Sequence, residues 1–321
     1  MPIPAGPGPG AAAGITANDW VNAVRRHCST FHREERNTLA GAGVDNLGTT
    51  LTFSTALGGI VPQALIEIDS ELCYVQAINP SGMSATVIRA SEGSVAAAHA
   101  SGATVTVNPR FPVFAIFTAL NDVLRDVSGS NFFQMKAVTI VFNASVFGYD
   151  LTDSDVLDVY DVRIKRSGTT AMWDRVDNFT LHRNMDPAEF ASTNALFLYQ
   201  VPATNGQPLR VLYKAPFTQL TALTDDVLLT GLGSTAYDLP PLGAAVRMLA
   251  GREVKRNFTE NAAEARRATE VPPGAVLGSM RGLQVLFDTR FKSEVKSLLS
   301  QYPPLTRLYT AHPFGSHGLV S

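Results

Sequence analysis

The feature that most constrains this chain is a hydrophobic period that changes four times along its length, between the steps of helices and the alternation of strands. Trp20, Val24, His27 or Cys28, and Phe31 recur at three- and four-residue steps behind Asn18 and Asp19, which can cap a helix. That spacing predicts a helix running to about residue 36, with Arg25, Arg26, Arg33, Glu34 and Arg36 on its wet side. Past a glycine-bearing stretch at 41–48, the pattern becomes short β-like runs at 49–54, 64–69, 72–79, 85–89 and 104–107. Helical spacing returns at 113–127 with Phe114, Phe117, Leu120, Leu124 and Val127, where Pro112 fits the first turn.

A second alternating region follows, with runs at 138–142, 156–165, 178–181, 196–201, 209–213 and 227–229. Six such runs between loops predict a β-sandwich or jelly-roll-like module. Pro240 and Pro241 then open a helix that places Leu242, Val246, Leu249 and Phe258 on one side. A last helix follows Pro272, Pro273 and Gly274, and Pro303 and Pro304 end it because proline cannot continue a helix. Its stripe of Val276, Met280, Leu283, Phe287, Val295 and Leu298 predicts burial against other helices, with Lys292 on the polar side.

These signals define an α+β fold: a helical core with an N-terminal small β-rich unit and an inserted β-sandwich-like module. The expected organisation is a flexible arm at 1–17, a helix plus β-rich unit at 18–108, helical core at 109–130 and 232–304, the inserted sandwich at 131–231, and a C-terminal arm at 305–321.

With 321 residues and 45% hydrophobic composition, the chain can bury more than one core. Charged residues make up 17%, below the roughly 25% usual for a soluble domain, which points to surface hidden in an assembly. A formal charge of -2 disfavours bulk attraction to nucleic acid or an anionic membrane. Cys28 and Cys73 alone make no disulfide framework. Residues 1–15, rich in Pro, Gly and Ala without a basic residue, read as neither signal peptide nor membrane span.

No GxxxxGK[ST], GxSxG, HExxH or CxxC pattern occurs, and the GxG at Gly231 and Gly233 reads as a turn. His27, Cys28 and His32 form the densest group of soft ligands, but neighbours on a helix point apart, so packing is the simpler reading. Asp150, Asp153, Asp155, Asp158 and Asp161 could collect calcium, yet they miss the EF-hand spacing and read as a solvated loop and strand face. Glu67, Asp69 and Glu71 alternate as paired catalytic carboxylates would, and read as the polar outer face of a sheet. The sequence therefore leads to no catalytic, cofactor-binding or metal-binding residue, and to the expectation that the chain is not an enzyme.

The stretch 64–75, ALIEIDSELCYV, followed by TVIRASEG at 86–93 and AAAHASGATV at 96–105, resembles a module of tailed-bacteriophage virion proteins. That module typically reads IEID-E-(I/L)-V and then RG-x-x-GT-x-A-x-x-H-x-x-G-A-x-V. The match covers about a sixth of the chain. Ala90 stands where the family has glycine and Ser94 where threonine is common, so an altered turn after Arg89 is expected. His99 is expected to be a structural hydrogen-bonding residue.

The Ala-, Leu- and Arg-rich stretch 242–254 looks more loosely like the helical core of head-to-tail adaptors. The resemblance implies a virion protein assembled in the host cytoplasm, a neck adaptor or connector forming an oligomeric ring, commonly a dodecamer. Its partners would be further copies, the portal protein and tail-side neck proteins. DNA would pass through the ring without sequence-specific binding, and no membrane partner is expected. The alternatives are a tail, baseplate or fibre protein whose β-module binds a carbohydrate or receptor through Trp173, Tyr160, Phe179 and Tyr199, and a virion-associated glycan hydrolase.

Overall fold

The computed structural model describes residues 14–28, 35–56, 60–151, 153, 155–166, 172–199, 201, 203–260 and 275–305. They form an α+β fold that divides into two compact units, one comprising the chain to Leu124 with Gln219–Lys292, the other Arg125–Thr218 with the chain from Ser293. Of the expected arms at 1–17 and 305–321, residues 1–13 and 306–321 lie outside the described residues, as do His32, His312 and His317, while Ala17 is buried at the start of the first helix.

The first unit opens with α1, Ala17–Cys28. Its cap is Thr16 rather than the expected Asn18 or Asp19. The Asp19 carboxylate accepts from the Thr16 N–H at 2.8 Å and from its hydroxyl, while the Thr16 hydroxyl oxygen accepts from the Asp19 N–H, a reciprocal capping box. The helix ends at Cys28, short of the expected 36, and residues 35–38 turn out to be a strand.

Six strands follow: β1 (Glu35–Thr38), β2 (Thr50–Thr52), β3 (Leu65–Ile68), β4 (Glu71–Ile78), β5 (Ser84–Ile88) and β6 (Thr104–Val107). They pair antiparallel in the order β1-β6-β3-β4-β5-β2. The two outer strands then meet: Leu39 bridges Phe53, the Ala40 N–H donates to Thr52 O at 2.8 Å, and the Ser54 N–H donates to Thr38 O at 2.9 Å. The small β-rich unit is thus a closed barrel, which leaves no edge strand open to stray pairing. Phe53, Leu51, Ile66, Ile68, Val75 and Val105 fill it.

Helix α2, Val113–Val127, occupies the predicted span, and Ile116, Leu120, Val123 and Leu124 are its most buried apolar residues. Helix α3, Leu239–Glu260, begins with Pro240 and Pro241 in its first turn and lies against α1, where the Cys28 thiol reaches Ala245 O at 3.8 Å. Gly243 allows close approach. A Cβ there would meet Val123 of α2 at 2.8 Å and the Phe287 ring at 3.1 Å. The run at 227–229, expected as a strand, is a 3-10 helix over Val227–Thr230, closed by Gly231 at φ 75.

The second unit holds a four-stranded antiparallel sheet in the order β10-β9-β13-β7 and a three-stranded sheet in the order β11-β12-β8. The strands are β7 (Gln134–Val141), β8 (Gly148–Asp150), β9 (Asp158–Lys165), β10 (Trp173–Arg175), β11 (Phe179–His182), β12 (Ala195–Leu198) and β13 (Pro208–Ala215). One core joins both sheets, with Val159, Val162, Leu196, Leu209 and Val211 fully buried, as a sandwich requires.

Helix α4, Ala275–Gln301, is 27 residues long. Its stripe of Met280, Leu283, Phe287, Val295 and Leu298 is half-buried, and none of its residues from Leu277 on is fully buried within the single chain. Val285 and Leu286 are 65% and 47% exposed. Among the described residues, no helix is long and apolar enough to cross a membrane.

Candidate functional site

The residues that carry the resemblance converge at one place in the barrel. The β3–β4 hairpin turns at Asp69, whose φ of 55 is left-handed, and delivers Glu71 to the first position of β4. Glu71 is 1% exposed, which overturns its reading as part of a polar outer face. Its carboxylate accepts from Arg89 Nε at 2.6 Å and Arg89 Nη2 at 2.7 Å, and from the Ala90 and Ala97 N–H groups at 3.1 and 2.9 Å. His99 Nε2 adds a fifth bond at 2.9 Å, while His99 Nδ1 lies 2.8 Å from the Asp69 carboxylate, which is 57% exposed. Burial alone raises a carboxyl's pKa, but the Arg89, Ala97, His99 and Ala90 donors outweigh it and hold Glu71 at about 2.

Arg89 binds the surrounding loops as well. Its Nη1 donates to Asp45 O and Gly48 O at 2.9 and 2.8 Å, and its Nη2 donates to Ala97 O. The guanidinium thus fastens the 41–48 loop, the β5 end and the segment before β6 to one carboxylate, an arrangement that suits Arg's planar fork. Val44 and His99 form a backbone bridge over the same place, and Gly43, at φ 83, sits where a Cβ would strike His99 O.

The turn after Arg89 is left-handed at Ala90, Glu92 and Gly93. Ala90 takes the left-handed conformation, φ 53 and ψ 41, that glycine adopts without cost. Ser94 supplies the needed hydroxyl: its Oγ accepts from the Leu72 N–H at 3.0 Å and lies 2.9 Å from Ser91 O as donor.

Glu67, buried at 3%, also leaves the expected outer face. Its carboxylate accepts from the Val113 N–H at the start of α2 and from Arg25 of α1 at 3.3 Å. A negative group there satisfies an otherwise unpaired helix donor and complements the helix dipole. Each of these carboxylates therefore spends its lone pairs on protein donors. Cys73, 3.5 Å from Glu71, is no thiolate source, since burial and the neighbouring Glu71 charge push its thiol up to about 12.

The other sequence candidates disperse. Asp150 accepts from Ser192, Asp153 from Lys136 at 3.0 Å and Tyr213 at 3.2 Å, and Asp161, expected to be solvated, is 1% exposed beside Arg163. Asp153 draws its cation from β7, and Asp161 takes one from its own strand and one from β10. His27 is exposed while Cys28 is buried. Among the described residues no group of three or more His, Cys, Asp or Glu side chains is placed to hold a metal ion.

The aromatic residues weighed for a sugar platform do not share a face either. Phe179 is in the sandwich core and Tyr199 is exposed beyond β12. Tyr160 donates to Pro303 O at 3.0 Å and lines an open cleft of about 580 Å³ with Tyr302, Lys214 and Asp158, away from Trp173 on β10.

No family model matches the chain, and no curated protein matches it.

Proposed function

We propose that this chain is a non-enzymatic structural subunit of a tailed-bacteriophage particle, a head-to-tail adaptor whose copies close into a ring between portal and tail. The observation that carries the reading is α4. A 27-residue helix with no fully buried residue from Leu277 on, and with Val285 and Leu286 facing solvent, is stable in water when a second surface covers it. Gly278 and Gly282 add to the same argument, because a Cβ built on either meets nothing within 4 Å and a neighbouring backbone can approach closely. The barrel knot supports a structural role, since Glu67 and Glu71 are buried and their oxygens are taken up by protein donors. Phe179 in the sandwich core removes one of the four aromatics on which the carbohydrate-binding alternative rests.

The test is location. Gold-labelled antibody raised against the chain should decorate purified particles at the junction of head and tail. Label confined to the tail tip would replace the adaptor with a tail or baseplate component, and unlabelled particles would remove the proposal.

A further inference from the structure

The outer face of the four-stranded sheet carries a row of like charges that the barrel and α4 do not explain. Arg175 of β10 pairs in register with Arg163 of β9, which pairs with Arg210 of β13, which pairs with Thr139 of β7. Directly paired residues project to the same side of a sheet, and all four are exposed. Neighbouring strands lie about 4.8 Å apart, so three arginines leave the sheet side by side, an arrangement that like-charge repulsion opposes.

One buried carboxylate organises two of them. Asp161 accepts from Arg163 Nε at 2.5 Å, and Arg175 Nε lies 3.4 Å from its other oxygen and 3.0 Å from Asp177. Both arginines are thus held through Nε, and among the described residues their Nη groups have no partner; Arg210 has none at all. Guanidinium forks held by one edge present the other, and such forks match the paired oxygens of a phosphate.

We infer that this row is a binding face for the phosphodiester backbone of a nucleic acid, read without regard to sequence. The net charge of -2 opposes attraction by the molecule as a whole, so the interaction is local to the row. It stands independently of the adaptor proposal.

The test uses the full chain and a fluorescein-labelled single strand of roughly 30 nucleotides and mixed sequence, titrated at several salt concentrations. Arg210→Gln removes a side chain that bonds to nothing in the protein. It should weaken binding about 5- to 10-fold near 50 mM salt and lower the slope of log affinity against log salt by about 0.7. Thr139→Arg extends the row by one position and should raise affinity and slope by similar amounts, a gain that misfolding cannot imitate. Lys292→Gln, on α4, should change neither. Equal binding by the native chain and Arg210→Gln overturns the proposal, as does a native chain with no salt-dependent binding or a Thr139→Arg chain with no gain. A changed native mass for Arg210→Gln with unaltered oligonucleotide binding also overturns it, and assigns the row to contact with another protein copy.

Discussion

Glu71 is the residue on which the barrel's open segments depend, because five donors from two separate stretches of chain, 89–90 and 97–99, end on its two oxygens. Removing one partner of a buried ion pair leaves the other charge uncompensated, so Glu71→Ala should cost about 3–5 kcal/mol in denaturant unfolding. Asp69→Ala, at an exposed carboxylate, should cost less than about 1 kcal/mol. The sign of the pH effect follows from the depressed pKa. Ordinary glutamate titrates near 4.5 and Glu71 in the folded chain at about 2, so the unfolded state takes up the proton first on acidification. The contribution is complete above pH 4.5 and is lost between there and about pH 2; a Glu71→Gln chain should lack that portion of the acid sensitivity. Ala90 supplies the opposite prediction. A left-handed alanine costs roughly 1–2 kcal/mol, so Ala90→Gly should raise stability by about 1 kcal/mol without changing the barrel's circular dichroism.

At the scale of elements, periodicity was informative where segments are long or strongly apolar. The helix at 113–127 and the strand at 104–107 have the predicted spans because each carries a repeated apolar face. Strand β1, Glu-Arg-Asn-Thr, has no such face, and β8 and β10 are three residues each; they exist because strands elsewhere in the chain pair with them, which no local pattern records. Alternation at Glu67, Asp69 and Glu71 also misled for a physical reason. Period two assigns residues to a common face, but it does not say that Arg89, His99 and the start of α2 will cover that face with donors. On α4, the Phe287 ring sits over Gly243 of α3, and Arg290 binds Asp238 at 2.7 Å. Phe287→Ala should therefore cost about 2 kcal/mol in the isolated chain, less than a fully buried phenylalanine, while Lys292→Ala should stay within about 0.5 kcal/mol. Scoring both by thermal unfolding and by tailed particles in electron micrographs separates a packed helix from a solvated rod, for which the two would be equally mild.

For the whole molecule, the proposed role rests on surfaces that a single chain leaves uncovered. The low charged fraction, the exposed Val285 and Leu286, and the two open glycines of α4 all predict association between copies. Leu286→Asp should leave the unfolding midpoint of the isolated chain nearly unchanged, because Leu286 is already exposed, yet reduce assembly by burying an unpaired charge at the contact. The most direct test of the adaptor proposal is the native mass of the purified chain, alone and with isolated portal. The account predicts a closed ring of about twelve copies, formed alone or on the portal and lost in Leu286→Asp. A native chain that stays a single copy of 34.4 kDa under both conditions would contradict it.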